Sequence, residues 1–193
     1  FDGLNGYEGH IYEIGDARIP ETLKALEKLQ FAIAEVKAAG LPVRTVSAGG
    51  SSTYDITSRV PEVTEIQAGS YIFMDGAYVD QKIPFKPALT IMTQIISRPT
   101  SGRAILDVGL KSISNDHGLP RVMDIVGADF TKLSEEHGTL SLEGSAQALK
   151  RGDVVHLLPS HAGTTINIHD YYFCVRDGVL EDVVEVAGRG KFR

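Results

Sequence analysis

The hydrophobic pattern near the start of the chain shows one long helical periodicity. Apolar residues recur there at steps of three and four, which predicts a single apolar stripe along an amphipathic helix. We expect this helix to run from Pro20 to Gly40, because proline suits a first helical turn and glycine suits a left-handed C-terminal position. The stripe consists of Leu23, Leu26, Leu29, Ile33 and Val36.

Short β-branched runs follow this helix and predict strands. They are Val43–Ser47, Val63–Ile66 and Ser70–Met74, with a short turn at Ile56–Arg59 and an irregular Gly-rich stretch, Phe1–Gly15, before the helix. Helix, strand, Gly-rich loop and strand in this order are typical of βα units in a parallel sheet or barrel. A TIM barrel has eight such units and about two are visible here. We therefore interpret residues 1–84 as the last βα units of a TIM-type α/β barrel.

The hydrophobic pattern changes near residue 85, after the prolines of a short linker. From there the apolar runs are short and β-branched, Gly, Asp and Pro separate them, and no second long helix is predicted. We therefore predict an antiparallel β domain over residues 85–193. Its predicted strands are Thr90–Ser97, Arg103–Val108, Val122–Val126, Thr139–Leu142, Val154–Leu158, Thr164–Ile168, Tyr171–Arg176 and Leu180–Val186.

Composition narrows the class of protein. The 193 residues are 42% hydrophobic and 23% charged with a net charge of −6, and Lys and Arg are scattered singly, so we expect no nucleic acid partner. No apolar run approaches the roughly 20 residues of a membrane span. The single Cys174 excludes an internal disulfide and suits a cytoplasmic location. The chain opens at Phe1 without Met or a signal-peptide pattern, which indicates a fragment or one piece of a nicked chain.

A Gly-rich loop offers the clearest local chemistry. Ser47–Tyr54 reads SAGGSSTY and follows a predicted strand. Consecutive glycines let backbone N–H groups point at an anion, and the Ser and Thr hydroxyls add donors. The loop is neither a Walker A motif nor a dinucleotide fingerprint. It predicts either a phosphate site or an ordinary turn.

A histidine lies at the tip of a second candidate loop. The apolar runs Val154–Leu158 and Thr164–Ile168 flank Pro-Ser-His-Ala-Gly, so His161 is predicted at the tip of a β-hairpin or of a loop that presents its side chain. Metal ligation would need partners, for which the nearest candidates are His156, His169 and Asp170.

Other polar or reactive residues favour structural interpretations. His156 is predicted to be packed in the core, and Cys174 to be a buried thiol because no basic neighbour would lower its pKa. Asn115–Gly118 is interpreted as a turn. Glu135-Glu136-His137 is also interpreted as a turn, and the alternative is a ligand cluster in which Glu135 and His137 share one face of a strand.

Seven motifs occur in one order and carry a family resemblance. They are GYEGH, SAGGSSTYD, EIQAGSYIFMD, LDVGLKSIS, EEHGTLSLEG, GDVVHLLPSHAGTTINIHD and VRDGVLEDVVEVAGRG. This series resembles the C-terminal half of the D-threonine aldolase and D-serine dehydratase family. That family is similar to the alanine racemases in fold, with a pyridoxal 5'-phosphate barrel followed by a β domain.

The resemblance implies roles for residues at matching positions. His161 would be a catalytic, metal-binding histidine that acts on the β-hydroxyl of a D-amino acid substrate, and the enzyme would be a homodimer. Tyr7 would line the pyridine side of the cofactor pocket. The residues implied around the cofactor phosphate are Gly49, Gly50, Ser51, Ser52, Thr53 and Tyr54.

Two departures from the family pattern limit these expectations. The residue two positions after the metal-binding histidine is Cys or Asp in the family but is Gly163 here. Either a divalent metal (Zn, Mn or Mg) is absent, or Asp170 or His169 completes its site, or the chemistry differs. The Schiff-base lysine of the family lies in its N-terminal half. Among the lysines of this chain, Lys111 is the least excluded as a replacement for the Schiff-base lysine, but it lies in the predicted β domain.

The sequence therefore predicts part of a lyase. The reaction would be aldol cleavage or dehydration of a D-β-hydroxy amino acid, with a complementary N-terminal half supplying the lysine. This chain alone is expected to be inactive. The alternatives are a metal-independent deaminase or racemase-like enzyme, and a non-catalytic remnant that binds a phosphorylated ligand or a partner chain.

Overall fold

The structure, a computed structural model, describes residues 1–11 and 13–191 and divides into two compact units. The first unit comprises residues 1–74 and 78–86, and the second comprises residues 75–77 and those from 87 onward. The domain boundary expected between residues 84 and 85 stays a prediction. Among the described residues, no helix has both the length and the apolar content needed to cross a membrane.

A three-stranded parallel sheet and one long helix form the first unit. β1 (Gly3–Asn5), β2 (Thr45–Ala48) and β3 (Glu65–Ile66) lie in this order, and each pairs in parallel with its neighbour. α1 (Arg18–Ala38) connects β1 to β2 and packs one face onto the sheet. Their shared core comprises Leu26, Leu29, Ile33, Val46 and Ala48. The sequence missed β1, since its three residues lie in the stretch expected to be irregular.

The predicted long helix is confirmed, with small changes at its start. A 3₁₀ turn, Gly15–Ala17, precedes it, so the helix begins at Arg18 and Pro20 lies in its first turn. Leu23 is 45% exposed and lies outside the buried stripe. Gly40 has a φ of +78°, the left-handed conformation expected after the helix.

The strand predicted over Ser70–Met74 is wrong. This segment is a 3₁₀ turn, Ser70–Ile72, and Met74 donates its N–H to the Ser70 carbonyl at 2.8 Å. The N–H of Tyr71 donates to Ser51 Oγ at 3.0 Å instead of to a neighbouring strand. Two short helices, α2 (Tyr54–Thr57) and α3 (Gly76–Asp80), lie on either side of this segment in the chain.

An antiparallel six-stranded sheet dominates the second unit, as predicted. In sheet order its strands are β6 (Arg121–Val122), β9 (Val154–Leu158), β4 (Ile91–Thr100), β5 (Arg103–Leu106), β8 (Gly138–Leu142) and β7 (Ala128–Leu133). The edge strands β6 and β7 approach each other, so the sheet is nearly closed. Its core is aliphatic with one aromatic ring, from Ile95, Leu106, Ile113, Phe130, Leu140, Leu142, Val155 and Leu157.

Three strand predictions in this unit need correction. β7 was missed, because Ala128–Leu133 carries Asp and Lys at its exposed positions. The strand expected over Val122–Val126 ends at Val122, and Asp124 takes a left-handed φ of +59°. The run Thr164–Ile168 is not a strand, since α4 (Ala162–Ile166) occupies most of it. The buried Asp75 carboxylate accepts the Ala162 N–H at 2.8 Å, and this bond satisfies a donor at the start of α4.

A separate two-stranded hairpin contains the last two strands of the described residues. β10 (Tyr171–Arg176) pairs with β11 (Val179–Glu185) in antiparallel register. Cys174 lies on β10 and is exposed, so the prediction of a buried thiol is wrong. The prediction that His156 is packed in the core is also wrong. His156 is exposed, because it alternates with the buried Val155 and Leu157 along β9.

Candidate functional site

The loop from β2 to α2, Ser47–Tyr54, is folded tightly against its own unit. Gly49 has a φ of +74°, and a Cβ there would lie 3.1 Å from both Thr57 and Ile66. A Cβ on Gly50 would lie 2.9 Å from the Tyr7 ring. The two glycines are therefore required by conformation and by close approach. The structure brings together Tyr7 and the loop, while the expected role of Tyr7 beside the cofactor's pyridine ring stays a prediction.

A buried carboxylate accepts hydrogen bonds from this loop and from α2. Glu8 is buried and accepts the Gly49 N–H at 3.0 Å and the Thr57 hydroxyl. The Gly50 N–H donates to Thr53 Oγ1 at 3.0 Å. Two of the amide groups that the sequence suggested for an anion are thus bonded within the protein, and Thr53 serves to shape the loop.

The donors that remain in the loop suit an anion. Within residues 1–11 and 13–191, the N–H groups of Ser51 and Ser52 have no hydrogen-bond partner. Ser51 Oγ accepts the Tyr71 N–H, so its own proton is available for donation. Adjacent N–H groups flanked by hydroxyls form the donor set that phosphate oxygens accept. The residues present therefore fit the phosphate of pyridoxal 5'-phosphate.

An apolar cavity adjoins the end of the loop. It has a volume of about 300 Å³ and is lined by Tyr54, Ser58, Ile66, Ala68, Tyr71 and Phe85. The Phe85 ring lies 5.5 Å from the ring of Tyr54 and 5.4 Å from that of Tyr71. Tyr54 therefore belongs to an aromatic wall beside the loop.

An ion pair fixes α2 to the start of α1. Both Asp55 oxygens accept hydrogen bonds from Arg18, at 2.6 and 2.8 Å, and Arg18 also donates to the Ser52 carbonyl at 2.6 Å. The hydrogen bonds from Arg18 lower the pKa of the Asp55 carboxyl, and the same bonds raise the pKa of Arg18. This two-pronged contact restrains the backbone of the loop from a second side.

In the second unit, His161 lies between β9 and α4 with a fixed ring. Its Nδ1 is 2.7 Å from Asp116 Oδ2. Ser114 and Thr164 donate to the other oxygen of Asp116, at 2.6 and 3.0 Å. Partial burial raises the pKa of Asp116, but the hydrogen bonds from Ser114, His161 and Thr164 outweigh it and lower that pKa to about 2. Asp116 is thus an ionised acceptor, so the Nδ1–H of His161 is the donor in their hydrogen bond.

A second imidazole stacks on the first. The rings of His117 and His161 lie 4.4 Å apart at an interplanar angle of 12°. One potential ligand atom from each of Asp116, His117 and His161 lies within 4.8 Å of the others. We call these three residues the His161 cluster. Two other predicted partners are engaged in other contacts: Asp170 forms an ion pair with Arg189, and His169 Nε2 lies 2.7 Å from the Ser112 carbonyl.

Sequence reasoning missed Glu8, Asp116 and His117. Glu8 lies inside the motif GYEGH, but nothing in the sequence pattern shows that its side chain is buried. Asp116 and His117 were interpreted as a turn, which the left-handed Gly118 (φ +103°) supports. The available signal was a His directly after an Asp in a chain with only six His.

Comparisons with known proteins agree with this architecture. Residues 88–175 match the family model described as putative serine dehydratase domain. D-threonine aldolase from Arthrobacter sp is 35% identical over 197 residues, which cover 98% of this chain and 52% of that protein. D-threo-3-hydroxyaspartate dehydratase from Delftia sp. (strain HT23) is 31% identical over 195 residues, covering 84% of this chain and 50% of the relative.

Two solved structures extend the comparison. D-threonine aldolase from Filomicrobium marinum superposes with a TM-score of 0.94 at 29% identity, over 100% of this chain and 55% of the other. An alanine racemase-like protein from Idiomarina loihiensis superposes with a TM-score of 0.81 at 21% identity, over 89% of this chain and 52% of the other. The second likeness concerns the fold alone.

The fold is thus that of the alanine racemase-like, fold-type III proteins. Within that class, the chain is similar to D-threonine aldolase and to D-threo-3-hydroxyaspartate dehydratase, and residues 88–175 match the putative serine dehydratase domain. It spans about half the length of the curated relatives it matches.

Proposed function

We propose that this chain is part of a pyridoxal 5'-phosphate-dependent lyase that cleaves or dehydrates a D-β-hydroxy amino acid. The observation that carries the proposal is the Ser47–Tyr54 loop, whose free donors suit a phosphate in a chain similar to D-threonine aldolase. The printed names of the relatives support both aldol cleavage and dehydration. We also propose that β1–β3, α1 and α2 are the last βα units of a TIM-type barrel.

The cofactor and the residues around the loop would have different functions in the reaction. Pyridoxal phosphate supplies, when bound, a ring that takes up the electron pair released at the substrate Cα. The Ser51 and Ser52 N–H groups and hydroxyls would bind its phosphate. Glu8 and Arg18 would hold the loop in its binding conformation through the bonds described above. Tyr7, packed over Gly50, would keep water away from that backbone.

His161 is assigned to the substrate's β-hydroxyl. Asp116 fixes its Nδ1 as the protonated nitrogen, so Nε2 would be free to accept a proton or a metal ion. Both reactions would use that nitrogen. In aldol cleavage Nε2 would take the hydroxyl proton, and in dehydration a protonated Nε2 would give its proton to the departing hydroxyl, which leaves as water. Gly163 offers no side chain to distinguish the two.

The lysine that holds the cofactor is assigned to a part of the protein outside this chain. Lys111 is exposed, and its Nζ lies 2.6 Å from Glu136 and 3.5 Å from Glu135. A lysine engaged by two carboxylates keeps its charge, as its raised pKa shows, so it is a poor nucleophile. The complementary N-terminal half, the homodimer and the cytoplasmic location all remain proposals.

The test uses the full-length protein with pyridoxal phosphate. We expect a new visible absorbance band on cofactor addition, and product from D-threonine or D-threo-3-hydroxyaspartate but not from their L-enantiomers. Aldol cleavage of these substrates yields glycine and an aldehyde, whereas dehydration yields a 2-keto acid and ammonia. Absence of the band in folded protein would overturn the proposal and favour the non-catalytic remnant.

A further inference from the structure

One face of the hairpin formed by β10 and β11 is apolar and exposed. Residues directly opposite each other in an antiparallel pair share a face, and the pairs on this face are Phe173 with Val183 and Val175 with Leu180. Tyr171 lies on the same face, because it is two residues before Phe173 along β10. We call these five residues the hairpin face. Their exposed fractions run from 47% at Val183 to 69% at Phe173.

The opposite face of the hairpin is more polar. Arg176 pairs there with Val179, and Asp182 pairs with Cys174. Arg176 also forms an ion pair with Glu181, its Nε lying 3.0 Å from a carboxylate oxygen. Charged side chains thus stand beside apolar ones on this face, as is usual for a surface in contact with water. On the hairpin face, by comparison, five large apolar side chains adjoin one another.

The hairpin forms a two-stranded sheet of its own. Its strands are separate from the six-stranded sheet that carries the main core of this unit. An isolated two-stranded hairpin is marginally stable in water and needs a third strand or a packing partner. A contiguous patch of exposed apolar side chains is typical of an interaction surface. A further segment is therefore needed to pack on the hairpin face.

The hairpin face is too small to hold a second copy of this chain by itself. With a rise of about 3.4 Å per residue and about 4.8 Å between strands, six residues on each of two strands cover about 200 Å². A stable interface between separate molecules buries about 800 Å² on each partner. A segment of the same polypeptide needs less area, because it packs without the loss of translational and rotational freedom that two separate molecules incur.

The relatives contain a long segment that could pack there. This chain spans about half the length of the relatives it matches, and its superposition on D-threonine aldolase from Filomicrobium marinum extends over the whole chain, hairpin included. We propose that the N-terminal half of the full-length protein packs on the hairpin face through apolar side chains. The inference rests on the proposed function only in taking that N-terminal half to be present.

Thiol labelling of the full-length protein tests this packing. In a Cys174→Ser background, Phe173→Cys places a thiol on the hairpin face. Val179→Cys is the matched control, since Val179 lies on the opposite face and is 63% exposed in this chain, against 69% for Phe173. Labelling by N-ethylmaleimide, followed by peptide mass spectrometry, should be at least about tenfold slower at position 173, because access there requires local opening. Val183→Cys probes the same face if the Phe173→Cys protein does not fold.

Two further measurements distinguish the same polypeptide from a second copy. The slower labelling should persist over about a 100-fold dilution of the protein, because packing within one polypeptide does not depend on concentration. Phe173→Asp should leave the molar mass, measured by light scattering, unchanged. Equal labelling rates at positions 173 and 179, protection lost on dilution, or a lower molar mass would each overturn the inference. The cofactor absorbance band is recorded on the same protein, so failure of the proposed lyase gives a separate signal.

Discussion

The ring of Tyr7 lies directly on the backbone of Gly50. A Cβ on residue 50 would meet Tyr7 Cε2 at 2.9 Å and its hydroxyl oxygen at 3.2 Å. The first separation is shorter than real Cβ contacts and the second is tighter than most of them, so any side chain at position 50 must displace the ring or the loop. This contact joins the first candidate motif of the sequence to the second.

Replacing Gly50 by Leu should weaken the binding of pyridoxal phosphate. The leucine would push Tyr7 off the loop and move the Ser51 and Ser52 N–H groups, with an expected loss of at least about tenfold in affinity, or ~1.4 kcal/mol. The measurement is a cofactor titration of the full-length protein followed by absorbance. Gly69→Leu is the matched control, because a Cβ on Gly69 would meet no atom within 4 Å. Equal cofactor affinities in both variants would contradict the assignment of phosphate binding to this loop.

Glu8 is expected to be essential for the stability of the same loop. Glu8→Ala would leave the buried Gly49 N–H and the Thr57 hydroxyl without their acceptor, and each unpaired buried group costs about 1–3 kcal/mol. The free energy of unfolding, measured in urea, should fall by about 2–6 kcal/mol, the sum for the two groups. Glu8→Gln keeps one acceptor oxygen and should lose less.

The control for Glu8 is Glu13→Ala, which removes an exposed carboxylate close by in the chain. Its unfolding free energy should stay within about 0.5 kcal/mol of the parent. If Glu8→Ala also remained within that range, the buried carboxylate would not be holding the loop.

The sequence predicted what depends on local periodicity. α1 has an apolar stripe at helical spacing. β9 and β10 match their predicted bounds because their runs are short and rich in β-branched or aromatic residues. α4 was predicted as a strand because Thr164–Ile168 is β-branched, but Asp75, distant in sequence, accepts the Ala162 N–H at the helix start. A tertiary contact thus overrode local propensity.

The candidate sites divide in the same way. Gly49 and Gly50 could be singled out from the sequence because consecutive glycines follow a strand there, and their assignment to a phosphate site stays a prediction. Glu8 and His117 could not be singled out, because their importance comes from burial and from stacking on a residue far along the chain. A single sequence does not show which turn will lie beside His161.

The contact between Arg18 and Asp55 should stabilise the first unit more than a surface ion pair does. The two side chains are only 14% and 33% exposed, whereas Arg44 and Asp2 form a pair that is 68% and 59% exposed. Arg18→Ala should lower the free energy of unfolding by about 1–3 kcal/mol, as for hydrogen bonds to charged groups. Arg44→Ala, its control, should cost no more than about 1 kcal/mol. Similar losses in both variants would show that burial of the Arg18 pair adds nothing.

The same contact should make stability depend on pH in the acid range. Hydrogen bonds from Arg18 lower the pKa of Asp55 in the folded protein, while in the unfolded chain it stays near 3.9. The contribution of Asp55 is therefore fully present above about pH 4 and is lost as the pH falls through its lower folded-state pKa. Urea unfolding of the parent and of Asp55→Asn at pH 7, 5 and 3 measures this. The gap in unfolding free energy between them should be constant from pH 7 to 5 and narrow at pH 3. The difference in unfolding free energy between Arg18→Ala and Arg18→Ala/Asp55→Asn should change little with pH. If this difference narrowed at pH 3 as much as it does in the parent background, the pH dependence would not come from the contact between Arg18 and Asp55.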